Sequence, residues 1–225
     1  FRRVLFRSET LKDIVEAASL DVPLIINFGS PYRIGLGRPP TRNDRYGSFA
    51  AGLFAGPVIM DSDGDAQCIQ VNFTPLGGRL FFARPMSELA NCMVALDDLG
   101  DREIEELSCR LAELNSWDAR LDLVERFVTM RLARAGAIDP AIDWAIAALM
   151  RSGGQIRIGA IAGKLEWSRR RLVERFREEI GLPPKAIARI VRFCSARAMA
   201  ENSIDPEWAD IAAACGYADQ PHLVR

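Results

Sequence analysis

Histidine is almost absent from this chain: His222 is the only one in 225 residues. That removes the histidine clusters on which many metal centres are built. It equally removes a Ser-His-Asp or Cys-His site outside the immediate surroundings of His222. Cysteine is sparse and scattered. Cys68, Cys92, Cys109, Cys194 and Cys215 are odd in number and form no C-x-x-C pair, which fits reduced thiols better than a disulfide framework. Cys68, Cys92 and Cys109 also lack the clustering that a zinc-held, alkyl-accepting thiol needs. No apolar run approaches the ~20 residues that span a bilayer, and no secretory pattern opens the chain. The expectation is a cytoplasmic protein with no membrane partner, no catalytic residue, no metal and no cofactor.

Net charge is also nearly absent, at −1, but its distribution is uneven. Residues 151–225 carry 13 Lys/Arg against 9 Asp/Glu, or +4, while residues 1–150 carry 16 against 21, or −5. A basic C-terminal part behind an acidic N-terminal part suits a nucleic-acid reader joined to something that avoids nucleic acid. Hydrophobic content of 49% is enough for real cores.

What is present is a pattern that occurs twice. Ala160-Ile161-Ala162 runs to Leu165, then Trp167-Ser168, then the basic stretch Arg169 to Phe176. About fifty residues on, Asp210-Ile211-Ala212 runs to Cys215-Gly216, then Tyr217-Ala218-Asp219, then Gln220 to Arg225. Each copy is a short apolar helix, a tight turn and a second helix with a polar, partly basic face, which is the form of a helix-turn-helix. In the first copy Leu172, Phe176 and Ile180 share one helical face and must pack. That leaves Arg169, Arg170, Val173 and Glu174 around the other side. Arginine suits a groove because its fork grips guanine O6/N7 or a phosphate. Glu174 can accept from cytosine N4 or position an arginine. The second copy offers Gln220 for adenine, Arg225 for guanine or phosphate, and Pro221 and His222 beside them. Between the copies, Pro183-Pro184 opens a helix from about Lys185 to Ala200. Its apolar Ile187, Ile190, Val191, Cys194 and Met199 are expected to pack on both units. A rod of that length, at ~1.5 Å per residue, can set two recognition helices about one DNA turn apart, ~34 Å.

The remaining chain divides by texture. Val22 to about Phe82 reads as short strands with turn signals: a strand over Val22–Gly29, a loop over Arg33–Gly47, and a hairpin of Val58–Met60 with Gln67–Phe73 turned at Gly64. A further strand is expected at Leu80–Phe82. Asp61-Ser62-Asp63-Gly64-Asp65 resembles a calcium loop, but its glycine falls one residue early and the twelfth position is Asn72 rather than Glu. From Pro85 onward, helices are expected over Asp101–Leu114 and Asp118–Ala135. Another should open at Asp139-Pro140 and stop at Gly153-Gly154. Phe1 to Ser8 resembles a reading frame of a sequencing adapter and is set aside as an artefact, the alternative being a genuine strand.

Gly153 to Arg225 resembles the DNA-binding domain of AraC-type (AraC/XylS) transcriptional regulators. The resemblance is carried by Ile161-Ala162…Leu165…Ser168…Leu172…Arg175-Phe176…Gly181-Leu182-Pro183-Pro184-Lys185 and by Trp208-Ala209-Asp210-Ile211-Ala212…Cys215-Gly216-Tyr217-Ala218-Asp219-Gln220-Pro221-His222-Leu223. It implies a bacterial transcription factor with double-stranded DNA as partner. Base-edge contacts are then expected at Arg170, Val173, Glu174, Gln220, Pro221 and Arg225. Arg169, Arg171 and Lys185 are expected on phosphates. The family pattern continues past Arg225 with the rest of the second recognition helix and a closing helix, so the chain reads as a fragment. The N-terminal part resembles more weakly the cupin-like sensor domains of such regulators, through Asn72 to Gly78 and Pro85 to Leu89. That implies a small effector, with RNA polymerase and a second copy as further partners. The expected fold is therefore α+β: a small β-barrel or cupin-like sensor with a helical extension over residues 9–136, then an all-α tandem helix-turn-helix domain over 137–225. The rival reading is a small-molecule-binding or catalytic β-barrel whose helical tail serves protein contacts.

Overall fold

The computed structural model describes residues 1–8 and 11–224. In chain order the strands are β1 (Arg2–Ser8), β2 (Leu11–Glu16), β3 (Val22–Asn27), β4 (Tyr32–Leu36), β5 (Arg45–Tyr46), β6 (Phe49–Ala51), β7 (Val58–Ser62), β8 (Ala66–Phe73) and β9 (Met93–Ala95). The helices are α1 (Pro75–Phe82), α2 (Arg102–Glu113), α3 (Trp117–Ala133), α4 (Pro140–Arg151), α5 (Ile158–Lys164), α6 (Arg169–Ile180), α7 (Pro184–Glu201), α8 (Trp208–Ala214) and α9 (Gln220–Val224). No helix among the described residues is long and apolar enough to cross a membrane.

The strands form two antiparallel sheets, one ordered β1-β8-β3-β6-β9 and the other β2-β7-β4-β5. The fold is α+β as expected, but the sheets stay open rather than closing into a barrel. Both faces of β3 are covered, which explains why it is an unbroken apolar run rather than an alternating one. Leu24 and Ile26 face the helices together with Ile69, Val71 and Phe73 of β8. Ile25 points the other way, to Tyr32, Ile34, Phe49 and Cys68 between the sheets. The segment Phe1 to Ser8, set aside above, runs along β8 from Arg2↔Asn72 to Ser8↔Ala66. An open sheet edge is a template that β-forming segments readily join.

Three local expectations are corrected. β7 and β8 are not a hairpin: β7 pairs with β2 and β4, while β8 pairs with β1 and β3. The Asp61–Asp65 turn therefore carries the chain from one sheet to the other, and Arg33 binds it through Asp63 at 2.9 Å. Arg33–Gly47 is not all loop, since β4 and β5 fall at its ends. Tyr32 and Ile34 alternate inward there and bury almost completely. Leu80–Phe82 is helical, because Thr74 caps α1 by accepting from Gly77 N–H at 3.1 Å and Pro75 sits in the first turn.

The helical expectations fare better. Asp101, Ser116, Asp139 and Ser168 each accept from a backbone N–H in the first turn of the helix they precede. Ile104, Leu107 and Leu111 bury on α2, and Val124 and Val128 on α3. One core runs from the sandwich through α1–α3 into α4–α7 without a break at 136/137. Two smaller clusters stand apart from it among the described residues: the one between the sheets, and one at the end of the chain formed by Ala196, Ile211 and Cys215.

Candidate nucleic-acid interface

The duplication seen in the sequence is repeated in backbone hydrogen bonds. In the first unit Leu165 N–H donates to Ile161 O, Glu166 to Gly163 O and Trp167 to Ala162 O, at 3.1, 3.2 and 2.9 Å. In the second, Cys215 donates to Ile211 O, Gly216 to Ala213 O and Tyr217 to Ala212 O, at 2.9, 3.1 and 2.9 Å. Both turns pass through the left-handed region at the same place, Glu166 at φ 54° and Gly216 at φ 72°. That position favours glycine, so the first unit holds a strained glutamate where the second is relaxed. Past the shared bonds the second turn is one residue longer, α9 starting at Gln220 where strict repetition would start it at 219.

α6 buries Leu172, Phe176 and Ile180, as its periodicity requires, and leaves Arg169, Arg170, Arg171 and Glu174 exposed with Val173 half-buried among them. Arg170 Nε donates to Glu174 at 2.8 Å, with side chains 89% and 58% exposed. An ion pair that open is worth at most ~1 kcal/mol, so Arg170 can leave Glu174 for a better acceptor. Arg171 lies over the Trp167 ring, 4.6 Å from its centroid. Arg169 lies against Gly159 on α5. Lys185 is exposed on the first turn of α7. In the second unit Gln220 and Pro221 are exposed at the start of α9. His222 lies on α9 but its side chain, like the whole of Arg225, lies outside the described residues.

Arg175 does not belong with the exposed arginines. It turns inward to Asp139 at 3.0 Å, Glu179 at 3.0 Å and Glu178. Burial alone would raise the Asp139 carboxyl; the Ala141 N–H and the Arg175 guanidinium outweigh it and hold it below the usual range. Glu179, 9% exposed, also takes Arg79 Nε of α1 at 2.9 Å. The chain Arg79–Glu179–Arg175–Asp139 thus ties the far face of α6 to the N-terminal part and to the cap of α4. Gly181, the C-cap of α6 at φ 97°, sits where a Cβ would come within 3.0 Å of Met86 O in the N-terminal part. Composition hid this contact: an arginine four residues before a glutamate reads the same whether it faces solvent or another domain.

The second unit is held differently. Gln155 Nε2 donates to Ala214 O at 2.9 Å, and Arg192 lies 5.5 Å from the Tyr217 ring centroid. Ile187, Ile190 and Val191 of α7 bury as expected, but Met199 is exposed, with its sulfur 3.7 Å from the Cys215 thiol.

Residues 161–225 match the helix-turn-helix domain family. The C-terminal part is a helix-turn-helix domain. Similar solved structures include the xylose-binding transcription activator XylR, at 22% identity over 41% of this chain and 24% of that one, with a TM-score of 0.34. ToxT from Vibrio cholerae is 13% identical over 99% of this chain and 91% of that one, with a TM-score of 0.47. ToxT with a bound unsaturated fatty acid gives 11% over 98% and 88%, with a TM-score of 0.46. Both are regulators of AraC type, which the duplicated unit of this chain resembles. This chain spans about a quarter of the XylR chain's length and most of ToxT's. No curated protein matches the chain.

Proposed function

We propose that the chain regulates transcription by seating α6 and α9 in successive major grooves of one operator, with the sandwich as the part that senses a small effector. The observation that carries this is the repeated turn geometry on either side of α7, a rod of 18 residues or ~27 Å. Arg170, Val173 and Glu174 read base edges from α6, and Gln220, Pro221 and Arg225 from the second unit. His222 contacts the DNA beside them. Arg169, Arg171 and Lys185 hold phosphates. The sensing role has its own support. A cavity of about 160 Å³ lies between the two sheets, and Ala18 on its rim accepts from the Cys194 thiol of α7 at 3.7 Å. A ligand at that rim adjoins the helix that spaces the two units. A second copy and RNA polymerase complete the set of partners.

The test is a selection of genomic fragments bound by the chain. Enrichment of a bipartite motif with halves about one helical turn, ~34 Å, apart supports the reading. Recovery of random DNA, or of none at low salt, overturns it.

A further inference from the structure

The space between the sheets is a closed-in, mostly apolar site with a polarity of its own. Its walls are Ile25, Ile34, Phe49, Val58 and Met60, and an apolar cavity near 150 Å³ is large enough for a benzene ring. The ionisable groups are less expected. Glu16, at the end of β2, and Asp21, just before β3, line one side, and no Lys, Arg or His lines the cavity among the described residues. Partial burial and the nearby Asp21 both push the Glu16 carboxyl upward, as happens when two acids share a rim with no cation between them, although both side chains stay open to solvent there. The buried Tyr32 hydroxyl also lines the space and donates to the Cys68 sulfur at 3.3 Å. With its proton spent there, the Tyr32 oxygen has only lone pairs left to offer. The charges at the rim and the Tyr32 oxygen therefore call for a donor, while Ser19, Gln70 and Asn72, which also line the space, keep donors of their own.

We propose that the effector is a compact amine: an apolar, ring-sized body between the sheets with a protonated amino head at Glu16 and Asp21. The proposal rests on the sandwich being the sensing part. A carboxylate of the same shape would lose its hydration beside two acids and gain no cation in return, so the site selects against it. A neutral alcohol fits the body and can donate to one acid, but brings no positive charge to the pair.

Three probes of matched shape test this on the intact chain by titration calorimetry and thermal shift: 2-phenylethylamine, 2-phenylethanol and phenylacetate. The amine is expected to bind at least tenfold more tightly than the alcohol, and phenylacetate more weakly than either. Glu16→Gln with Asp21→Asn should bring the amine down to the alcohol's affinity while the alcohol's own affinity stays within twofold, which separates loss of charge recognition from loss of the fold. Phenylacetate binding as well as the amine overturns the proposal, as does an amine affinity indifferent to the double substitution, or no binding by any of the three. Operator binding, read separately by fluorescence anisotropy, tells the two readings apart: a chain that binds its DNA motif but no amine keeps the regulator function and loses this effector class.

Discussion

The first helix-turn-helix is sunk in the main core, and the second rests on the end of a helix. α6 buries Leu172, Phe176 and Ile180 completely, in one continuous core with the sandwich and α1–α4, and its far side is clamped by Arg79, Glu179, Arg175 and Asp139. Among the described residues the second unit buries only Ile211, Ala212 and Cys215, next to Ala196 of α7, and it leaves Trp208 44% exposed and Ile204 fully exposed. The same backbone turn is thus supported by very different amounts of packing. Apolar burial contributes roughly 25 cal/mol per Å², so the second unit is the part with the least holding it and the part most able to adjust on DNA. The first unit has no such freedom, because α1 and the Met86–Glu88 turn hold it to the N-terminal part.

The sharpest way to break this comparison is to empty each core in turn. Phe176→Ala should cost ~3–5 kcal/mol and lower the melting temperature of the whole chain in one transition. Ile211→Ala should cost ~2 kcal/mol, the low end for such a truncation, with hydrogen-exchange protection lost only after Glu201. A global loss from Ile211→Ala would show that the two units are not differently anchored.

Next in size is the clamp. Arg175→Ala removes charged hydrogen bonds from a buried glutamate and should destabilise by ~2 kcal/mol. The native Asp139 carboxyl is held below its unfolded value, so its contribution is present above the ordinary aspartate range and is lost as the solution is acidified through it. Asp139→Asn should flatten that part of an acid-unfolding curve. An unchanged curve would mean that the clamp does not stabilise α6.

DNA binding should divide along the exposed face. Arg170→Ala is expected to weaken an operator by ~1–3 kcal/mol and random DNA far less, whereas Arg171→Ala should weaken both alike and lower the salt slope by about 1. Equal losses from both substitutions would place Arg170 on phosphate.

The smallest effects concern the two turns. Gly216→Ala should cost ~1 kcal/mol, because φ 72° disfavours a side chain and the new Cβ would meet Gln155. Glu166→Gly should stabilise by a few tenths of a kcal/mol to about 1, relieving a left-handed glutamate. Thermal melts of the two variants moving in the same direction would contradict the equivalence of the turns.

Helix positions and caps were legible in the sequence because they depend on local chemistry: Asp139-Pro140, Ser168 and Gly181 all stand where their side chains or their φ require. So was the outward face of α6, since Leu172, Phe176 and Ile180 leave only one side free. Strand pairing was not legible. Val58–Ser62 and Ala66–Phe73 look like a hairpin locally, yet each found its neighbours elsewhere in the chain, and Thr74 and Pro75 turned an apolar triplet into helix. The cavity carboxylates gave no signal, because Glu16 and Asp21 meet the apolar walls only when two separate sheets face each other.

The sequence by itself determined the duplicated turn, the order of the helices and the basic face, all set by interactions within about a turn of chain. Only the tertiary structure decided that Arg175 faces inward, that α6 docks on α1 and the Met86–Glu88 turn, and that the two units differ in support. Those depend on which surfaces exclude water together, and residues a hundred positions apart, such as Arg79 and Glu179, carry no local sign of meeting.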